Sequence, residues 1–478
     1  MPYYLSTSIS AAVKVLHIFP QLTPDLVNGS ERYEYMLSRK LAELGVEVDV
    51  LTTCTRNSNP TSAFTSAWSA EHPVGITSAD GIRILRFPAT FHIGPRLGHR
   101  LSRRILKRWE REERRFGTMV GGSRNLPDYY QLRARSRPRI YDLIMLAGRG
   151  PWSIRLLTYL VRNIRNYDAV MAGFTPYALM PPVVAIARLF RRPVVILPLF
   201  HPQDIYHHFA VFYRCFARAD ALLAQTPYSA GLLARLAPGC APIDLGAGVN
   251  LEELTGEEAS GARFRKKYGL AGRKIVLFVG RKELFKRYDL AVAAIESIAD
   301  ERVRLVMIGR DIDRRPVSSP YVSWLGEVDR QDLVDAYDAC DVFLLPSENE
   351  SFGMVFLEAW ARRKPVIGNR ACGPVAGLID DGENGYLCST PEEIAARTAR
   401  LLGDPQLAAR LGQAGFEKVE KRYTWDAIAA MVRDLYLRLC ANRGGSPVSN
   451  LAPRKAESGE PPPAFAESDS ASIRTIKV

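Results

Sequence analysis

Leu345-Pro-Ser-Glu-Asn-Glu-Ser-Phe-Gly-Met-Val-Phe-Leu-Glu-Ala-Trp-Ala-Arg-Arg-Lys-Pro-Val-Ile-Gly368 is the stretch that decides how this chain folds. The run Asp341 to Leu345 is rich in strand formers and stops at Pro346, and Met354 to Trp360 reads as a helix that opens after Gly353. Glu350 then lies in the connecting loop, and Glu358 about one turn into the helix. A loop at a strand's carboxyl end, facing the free N–H groups of a helix start, is where α/β proteins hold anionic and nucleotide ligands. Two carboxylates there suit the diols of a ribose and a sugar.

Outward from this turn, strand and helix signals alternate along the chain. Val13 to Phe19 is a strand, followed by a loop to Ser30, a helix from Glu31 to Leu44 closed by Gly45, and a strand from Glu47 to Leu51. Further apolar strands are expected at Tyr167–Met171, Pro193–Leu197 and Ala219–Ala224. A second series begins at Lys274–Gly280, continues through a helix at Leu290–Ser297, and repeats at Val303–Gly309 and Asp341–Leu345. Repeated βαβ units predict an α/β protein with two Rossmann-like halves. Glycines in Gly246-Ala-Gly248-Val-Asn-Leu251 separate the two series, which sets the domains at 13–246 and 247–425 after an N-terminal tail, 1–12. A basic insert of about residues 92–160 interrupts the first domain. A helix from Ala427 to Leu439 follows Tyr423-Thr-Trp425, and the Ser, Pro, Glu and Ala composition of 442–478 predicts a disordered tail.

The strand ending at Gly280 delivers Gly280-Arg-Lys-Glu-Leu-Phe-Lys286 to the same end of the sheet. Arg281 offers a planar fork and Lys286 a compact charge, a combination suited to a diphosphate. Fixed cations there stabilise the negative charge that develops on a departing phosphate, so no catalytic metal is expected. Asp311-Ile-Asp313 sits among Arg310, Arg314 and Arg315 after a different strand and reads as a surface loop; Lys282 and Arg287 read as solvent-facing. His201 follows the strand at Val194–Leu197 and faces the cleft, while its spacing to His207 and His208 matches no common metal-ligand pattern.

The E-x7-E arrangement of Glu350 and Glu358, with Pro346-Ser347, Phe352-Gly353, Glu358-Ala359 and Pro365-Val366 in register, resembles the signature of glycosyltransferase family 4, the glycosyl transferases group 1. The resemblance implies a GT-B fold and retaining transfer of a hexose from a nucleotide-diphosphate sugar, a UDP- or GDP-sugar, to a hydroxyl acceptor such as a lipid-linked or polysaccharide precursor. It implies no cofactor beyond that donor. It also implies that Gly248-Val-Asn250 is the interdomain hinge and that the helix at 426–441 crosses back onto the N-terminal domain. The family's G-R-x4-K pattern places Arg281 and Lys286 on the donor diphosphate, beside Gly280. By the same carry-over Glu358 grips the ribose, Glu350 orients the transferred sugar, Phe352, Gly353 and Met354 line the donor loop, and His201 lies near the sugar. Retention through front-face attack leaves Glu350 without a covalent role, unlike the paired carboxylates of glycosidases.

The family pattern is broken twice. Asn28-Gly29-Ser30-Glu31 keeps one glycine of a pair that approaches the donor phosphates or the acceptor, so close approach at Gly29 and Ser30 rests on a single glycine. Gly377 stands where a glutamate is usual, which leaves sugar selectivity open. Two alternatives share the fold: a nucleotide-sugar epimerase, and a non-catalytic subunit that binds sugar nucleotides. Intact Arg281, Lys286, Glu350 and Glu358 speak against the second.

A chain of 478 residues with 47% hydrophobic content matches two ordinary globular domains. Seven scattered cysteines without a C-x-x-C pair read as buried thiols of a reducing compartment. With no uninterrupted apolar run of about 18 residues and no signal-like start, the expected location is cytoplasmic or peripheral on the inner membrane face. The net charge of +13 is concentrated: Arg96 to Arg139 holds fourteen bases against four acids, an excess of ten. Within it, Leu101, Ile105, Trp109 and Phe116 recur at near-helical spacing among arginines, a stripe that either docks on the N-terminal core or lies at a membrane interface. Arg133-Ala-Arg-Ser-Arg-Pro-Arg139 reads as a flexible loop near the acceptor side. The expected partners are a nucleotide sugar, a glycan or lipid-linked acceptor and an anionic membrane surface. Nucleic acid is excluded by sparse aromatic interleaving and the lack of a binding motif.

Overall fold

The structure, a computed structural model, describes residues 13–22, 29–57, 68–90, 101, 104–105, 107–108, 111, 130–131, 134–135, 138–256 and 258–441. Both terminal tails, Trp109 and Phe116 lie outside the described residues.

The N-terminal domain opens with the expected βαβ unit, β1 (Lys14–Gln21), α1 (Gly29–Glu43) and β2 (Glu47–Thr53). A small antiparallel pair, β3 (Thr55–Asn57) and β4 (Trp68–Ala70), precedes β5 (Gly75–Ala79) and β6 (Ile82–Phe87). Then follow α2 (Arg139–Gly148), α3 (Ile154–Asn163), β7 (Ala169–Gly173), α4 (Met180–Leu189), β8 (Val194–Leu197), α5 (Ala210–Phe216), β9 (Ala221–Ala224), α6 (Pro227–Leu236) and β10 (Ile243–Asp244). The sheet has eight strands in the order β10-β9-β8-β7-β1-β2-β6-β5, parallel throughout except for the β5–β6 edge.

The C-terminal domain runs α7 (Leu251–Thr255), α8 (Gly261–Lys267), β11 (Lys274–Val279), α9 (Tyr288–Ile298), β12 (Val303–Ile308), β13 (Val322–Gly326), α10 (Arg330–Ala339), β14 (Val342–Leu345), α11 (Met354–Ala361), β15 (Val366–Asn369), α12 (Gly373–Ala376), β16 (Gly385–Cys388), α13 (Pro391–Gly403) and α14 (Pro405–Arg422). Its six parallel strands are ordered β13-β12-β11-β14-β15-β16. Strands such as β7, β8 and β14 are buried along their whole length, as parallel strands covered on both faces must be, which is why they read as continuous apolar runs. Strand order reverses between β1 and β7 in the first sheet and between β11 and β14 in the second. At such reversals neighbouring loops diverge and open a crevice at the strands' carboxyl ends.

The final helix α15 (Trp425–Ala441) crosses back and packs on α1. The outgoing segment around Val249 and the returning one around Thr424 lie side by side, with the Val249 N–H donating to Tyr423 O at 2.8 Å. Only glycines allow that proximity. A Cβ at Gly246, where φ is +87°, would sit 2.7 Å from the Tyr423 ring, and one at Gly248 would sit 2.7 Å from the Trp425 backbone. On the N-terminal side the helix is fixed by a buried polar network: the Tyr436 hydroxyl lies 2.8 Å from His17 Nε2, and His17 Nδ1 lies 2.9 Å from Glu34 Oε1. Ser38 donates to the same Glu34 oxygen at 2.7 Å, so two side chains offset the carboxylate's burial cost.

Two expectations for the basic insert are settled where it is described. Ile105 packs against the N-terminal core cluster, so the stripe docks there at that position, whereas Leu101 is exposed. The Arg133–Arg139 segment is not a flexible loop at its described positions. Ala134 and Arg135 are helical, Ala134 is buried, and Arg135 donates to Arg235 O at 2.9 Å, because small Ala134 lets the backbone dock beside α6. Cys54, Cys215, Cys340, Cys372 and Cys388 are buried free thiols.

Candidate active site

The loops after β11 and β14 meet because those strands are neighbours, although 61 residues of sequence separate Gly280 and Asp341. Arg287, at φ 52°, ends the one-turn helix Leu284–Lys286 and turns Lys286 toward the β14 loop. The loops are stitched by the Glu348 N–H, which donates to Phe285 O at 2.9 Å, and by an ion pair between Arg287 and Glu348. Lys286 Nζ then stands 2.5 Å from Glu350 Oε1, with the two side chains 14% and 10% exposed. Arg281 lies beside them, its Nε 2.8 Å from Glu283 Oε1 and its guanidinium 5.7 Å from the centre of the Phe285 ring. Burial pushes the Glu283 carboxyl up, against the opposing pull of Arg281 and Lys286.

Gly353 starts α11 at φ +96°, and a Cβ there would meet the Phe356 ring at 2.8 Å, so this turn admits only glycine. The Phe352 ring is buried edge-on against Tyr423, 5.6 Å between centroids, tying the loop before α11 to the crossover. Met354 and Glu358 are four residues apart on the half-buried face of α11. Glu358 Oε2 accepts from the Tyr337 hydroxyl at 2.7 Å, and its Oε1 lies 3.7 Å from Arg330 Nη1.

Across the cleft, His201 is half-buried at the end of the β8 loop. Burial pushes its pKa down to about 4; Glu350 opposes the shift, while Lys286 and Arg281 reinforce it. These three charged neighbours all belong to the other domain, so a neutral imidazole faces the Lys286–Glu350 pair. A cavity of about 440 Å³ lies between, lined by Ser30, Tyr130, Thr175, Tyr177 and His201 on one side and by Arg281, Lys286 and Asn349 on the other. His207 and His208 are core groups: His207 Nδ1 is 2.7 Å from Thr175 Oγ1, and His208 is held by the Tyr213 hydroxyl at 2.7 Å and Pro202 O at 2.8 Å.

Thus Ser30, His201, Arg281 and Lys286 share one cavity, with Glu350 bound to Lys286, while Glu358 sits with a separate set of partners. Gly280 ends β11 in ordinary contact with Phe278 and Leu345. Gly29 opens α1, where a Cβ would meet no protein atom within 4 Å.

Lys282 is also corrected. It is 2% exposed, not solvent-facing, with Asp311 Oδ1 at 2.8 Å and Asp313 Oδ1 at 2.5 Å. The strand's exit carries this side chain inward, and a buried ammonium requires counter-charges, so Asp311 and Asp313 are its partners instead of a free surface loop. Arg287 bridges Asp289 and Glu348. At Gly377 a Cβ would lie 3.4 Å from the Tyr228 backbone of α6, so the missing glutamate coincides with an interdomain contact. Glu283, Tyr130, Tyr228, Arg330 and Tyr337 were not singled out in sequence; only an acid directly after two bases in Arg281-Lys282-Glu283 hinted at the first.

Residues 262–418 match the family model described as Glycosyl transferases group 1. The D-inositol 3-phosphate glycosyltransferase of Xylanimonas cellulosilytica is 34% identical over 251 residues, which cover 48% of this chain and 59% of that protein, less than two thirds of its length. D-inositol 3-phosphate glycosyltransferase 2 of Catenulispora acidiphila is 28% identical over 441 residues, covering 86% of this chain and 90% of the relative. Among solved structures, Anabaena HepE in complex with UDP and glucose shares the fold with a TM-score of 0.58 at 15% identity, over 89% of this chain and 100% of that one. Two Rossmann-like domains facing a cleft, closed by a helix that crosses back, are a GT-B fold. Over residues 262–418 the chain is similar to the glycosyl transferases group 1 family, and the relatives it resembles are named glycosyltransferases.

Proposed function

We propose that this protein is a retaining glycosyltransferase that moves a hexose from a UDP- or GDP-sugar to a hydroxyl acceptor. The observation that supports it most is the convergence on one cavity of Arg281, the Lys286–Glu350 pair and neutral His201 from opposite domains. Arg281 and Lys286 hold the diphosphate and stabilise the leaving nucleotide, at positions fixed before the charge develops. A carboxylate held 2.5 Å from an ammonium is a weak nucleophile, so Glu350 orients sugar hydroxyls, consistent with front-face attack. His201, uncharged at neutral pH, meets the sugar as a hydrogen-bonding group, and Glu358 grips the ribose. The start of α11 at Gly353 and Met354, with Phe352 and Gly280, completes the donor side; Gly29 and Ser30 face it from the other domain.

UDP is the first nucleotide to test, since HepE was solved with UDP and glucose. The names of the inositol-phosphate relatives make a phosphorylated polyol the first acceptor to test, ahead of a lipid-linked or polysaccharide precursor. Among the described residues no helix is long and apolar enough to cross a membrane. Exposed Arg104, Lys107, Arg108 and Arg111, on a segment docked through Ile105, support a cytoplasmic location with contact to an anionic membrane face.

The test is thermal-shift screening against UDP- and GDP-sugars, followed by product analysis with candidate acceptors and NMR of the new anomeric centre. Arg281→Ala and Glu358→Ala should lose the shift. Recovery of an epimerised sugar nucleotide without nucleotide release would replace this proposal with the epimerase; binding without turnover on any acceptor would favour a non-catalytic subunit.

A further inference from the structure

We propose that Tyr337, together with the ion chain Arg32–Glu253–Arg330, positions Glu358, so that the grip on the ribose depends on contact with the N-terminal domain. The proposal rests on the assignment of Glu358 to the ribose made above.

A glutamate that must accept two hydroxyls of a diol needs its carboxylate plane fixed. An ionised carboxylate offers about four lone-pair sites. Tyr337 occupies one on Oε2 at 2.7 Å and Arg330 approaches Oε1 at 3.7 Å, which leaves two for a diol. Both partners come from α10, seven residues apart and therefore on one helix face. The Tyr337 side chain is buried, and burial raises its pKa well above the ordinary phenol value, so it keeps its proton and can only donate to the carboxylate.

Arg330 is not free to follow Glu358. Its Nε is 2.5 Å from Glu253 Oε1 on α7, directly after the hinge, and Glu253 Oε2 is 3.2 Å from Arg32 Nη2 on α1 of the other domain. Charges alternate along the four residues, and the chain crosses the interdomain boundary. The side chains of Arg32, Glu253 and Arg330 are each about a third exposed, so the pairs contribute little to stability. Their effect is on orientation, which separates it from a folding role.

The experiment measures, by isothermal titration on the full chain, binding of UDP and GDP against their 2′-deoxy and 3′-deoxy forms. Glu358→Gln tests the ribose assignment itself and should bring the ribose-to-deoxyribose ratio close to one. Tyr337→Phe and Arg330→Met should each lower the ratio by about tenfold, the scale of a lost hydrogen bond to a charged group. Arg330→Lys should restore part of it, and Arg32→Met should lower it about twofold. Melting temperatures of the Arg330 and Arg32 variants should stay at the wild-type value. If Glu358→Gln keeps full discrimination, the ribose assignment fails. If that variant loses discrimination while Tyr337→Phe and Arg330→Met keep it, positioning is overturned and the assignment stands. An unchanged ratio in Arg32→Met alone removes the dependence on the N-terminal domain.

Discussion

Lys286→Met keeps the length of the side chain and removes its charge, leaving Glu350 buried without a partner. At 2.5 Å and an effective dielectric of about 20, the gross attraction of the pair is about 7 kcal/mol. Most of that offsets the desolvation of two side chains exposed by only 14% and 10%, so the measurable cost of breaking the pair is about 3–5 kcal/mol. For a domain of this size that corresponds to a fall of about 10 °C in the melting temperature of the ligand-free protein, read by scanning calorimetry. Lys286→Met/Glu350→Gln should recover most of the lost stability, since neither charge is then stranded. Affinity for UDP should fall in both variants, because the diphosphate clamp is missing from both. A double variant as unstable as the single one, or a single variant with wild-type melting and wild-type UDP affinity, would refute the reasoning.

Gly353→Ala places a Cβ at φ +96° and 2.8 Å from Phe356, so it should cost about 1–3 kcal/mol in denaturant unfolding and weaken nucleotide binding with it. Burial depresses the pKa of His201 to about 4 and of His208 to about 3, and lowers that of His207 as well. The unfolded chain therefore binds protons more readily, and stability is complete above about pH 6.5 and lost as pH falls toward 4. His201 alone accounts for about 3 kcal/mol at the acidic end; a flat melting temperature from pH 7 to pH 4.5 would contradict its burial. Tyr436→Phe removes the hydroxyl 2.8 Å from His17 Nε2 and should cost about 1–3 kcal/mol, with faster hydrogen exchange concentrated in α15.

The fold was legible because parallel strands covered on both faces leave continuous apolar runs, punctuated by Gly45, Pro346 and Gly353. Element ends moved by a residue or two, as where the strand expected from Asp341 starts at Val342 and the helix expected to Trp360 runs to Ala361, without displacing any loop from its end of the sheet. The insert was harder: its arginines hid Ala134, which is buried, and Tyr130, which lines the cavity, because charge density masks a docking face that is only a few residues wide. Lys282 was misread for a related reason. Three bases in Arg281-Lys282 and Lys286 look alike in sequence, and only the direction in which β11 ends separates the one buried against Asp311 and Asp313 from the two that line the cavity.

The site's grouping depends on strand order, which no local pattern encodes. Glu350 and Glu358 are eight positions apart, yet they do not form a unit: a helix start separates them, and each answers to a different element, Glu350 to the β11 loop through Lys286 and Glu358 to α10 through Tyr337. Had β14 not paired with β11, the same E-x7-E sequence would have presented Glu350 as an unpaired buried carboxylate, at a cost of several kcal/mol. The pairing of β11 with β14 is thus what makes a buried Glu350 tolerable, and it brings Arg281 and Lys286 to the one end of the sheet where a second domain can face them with His201.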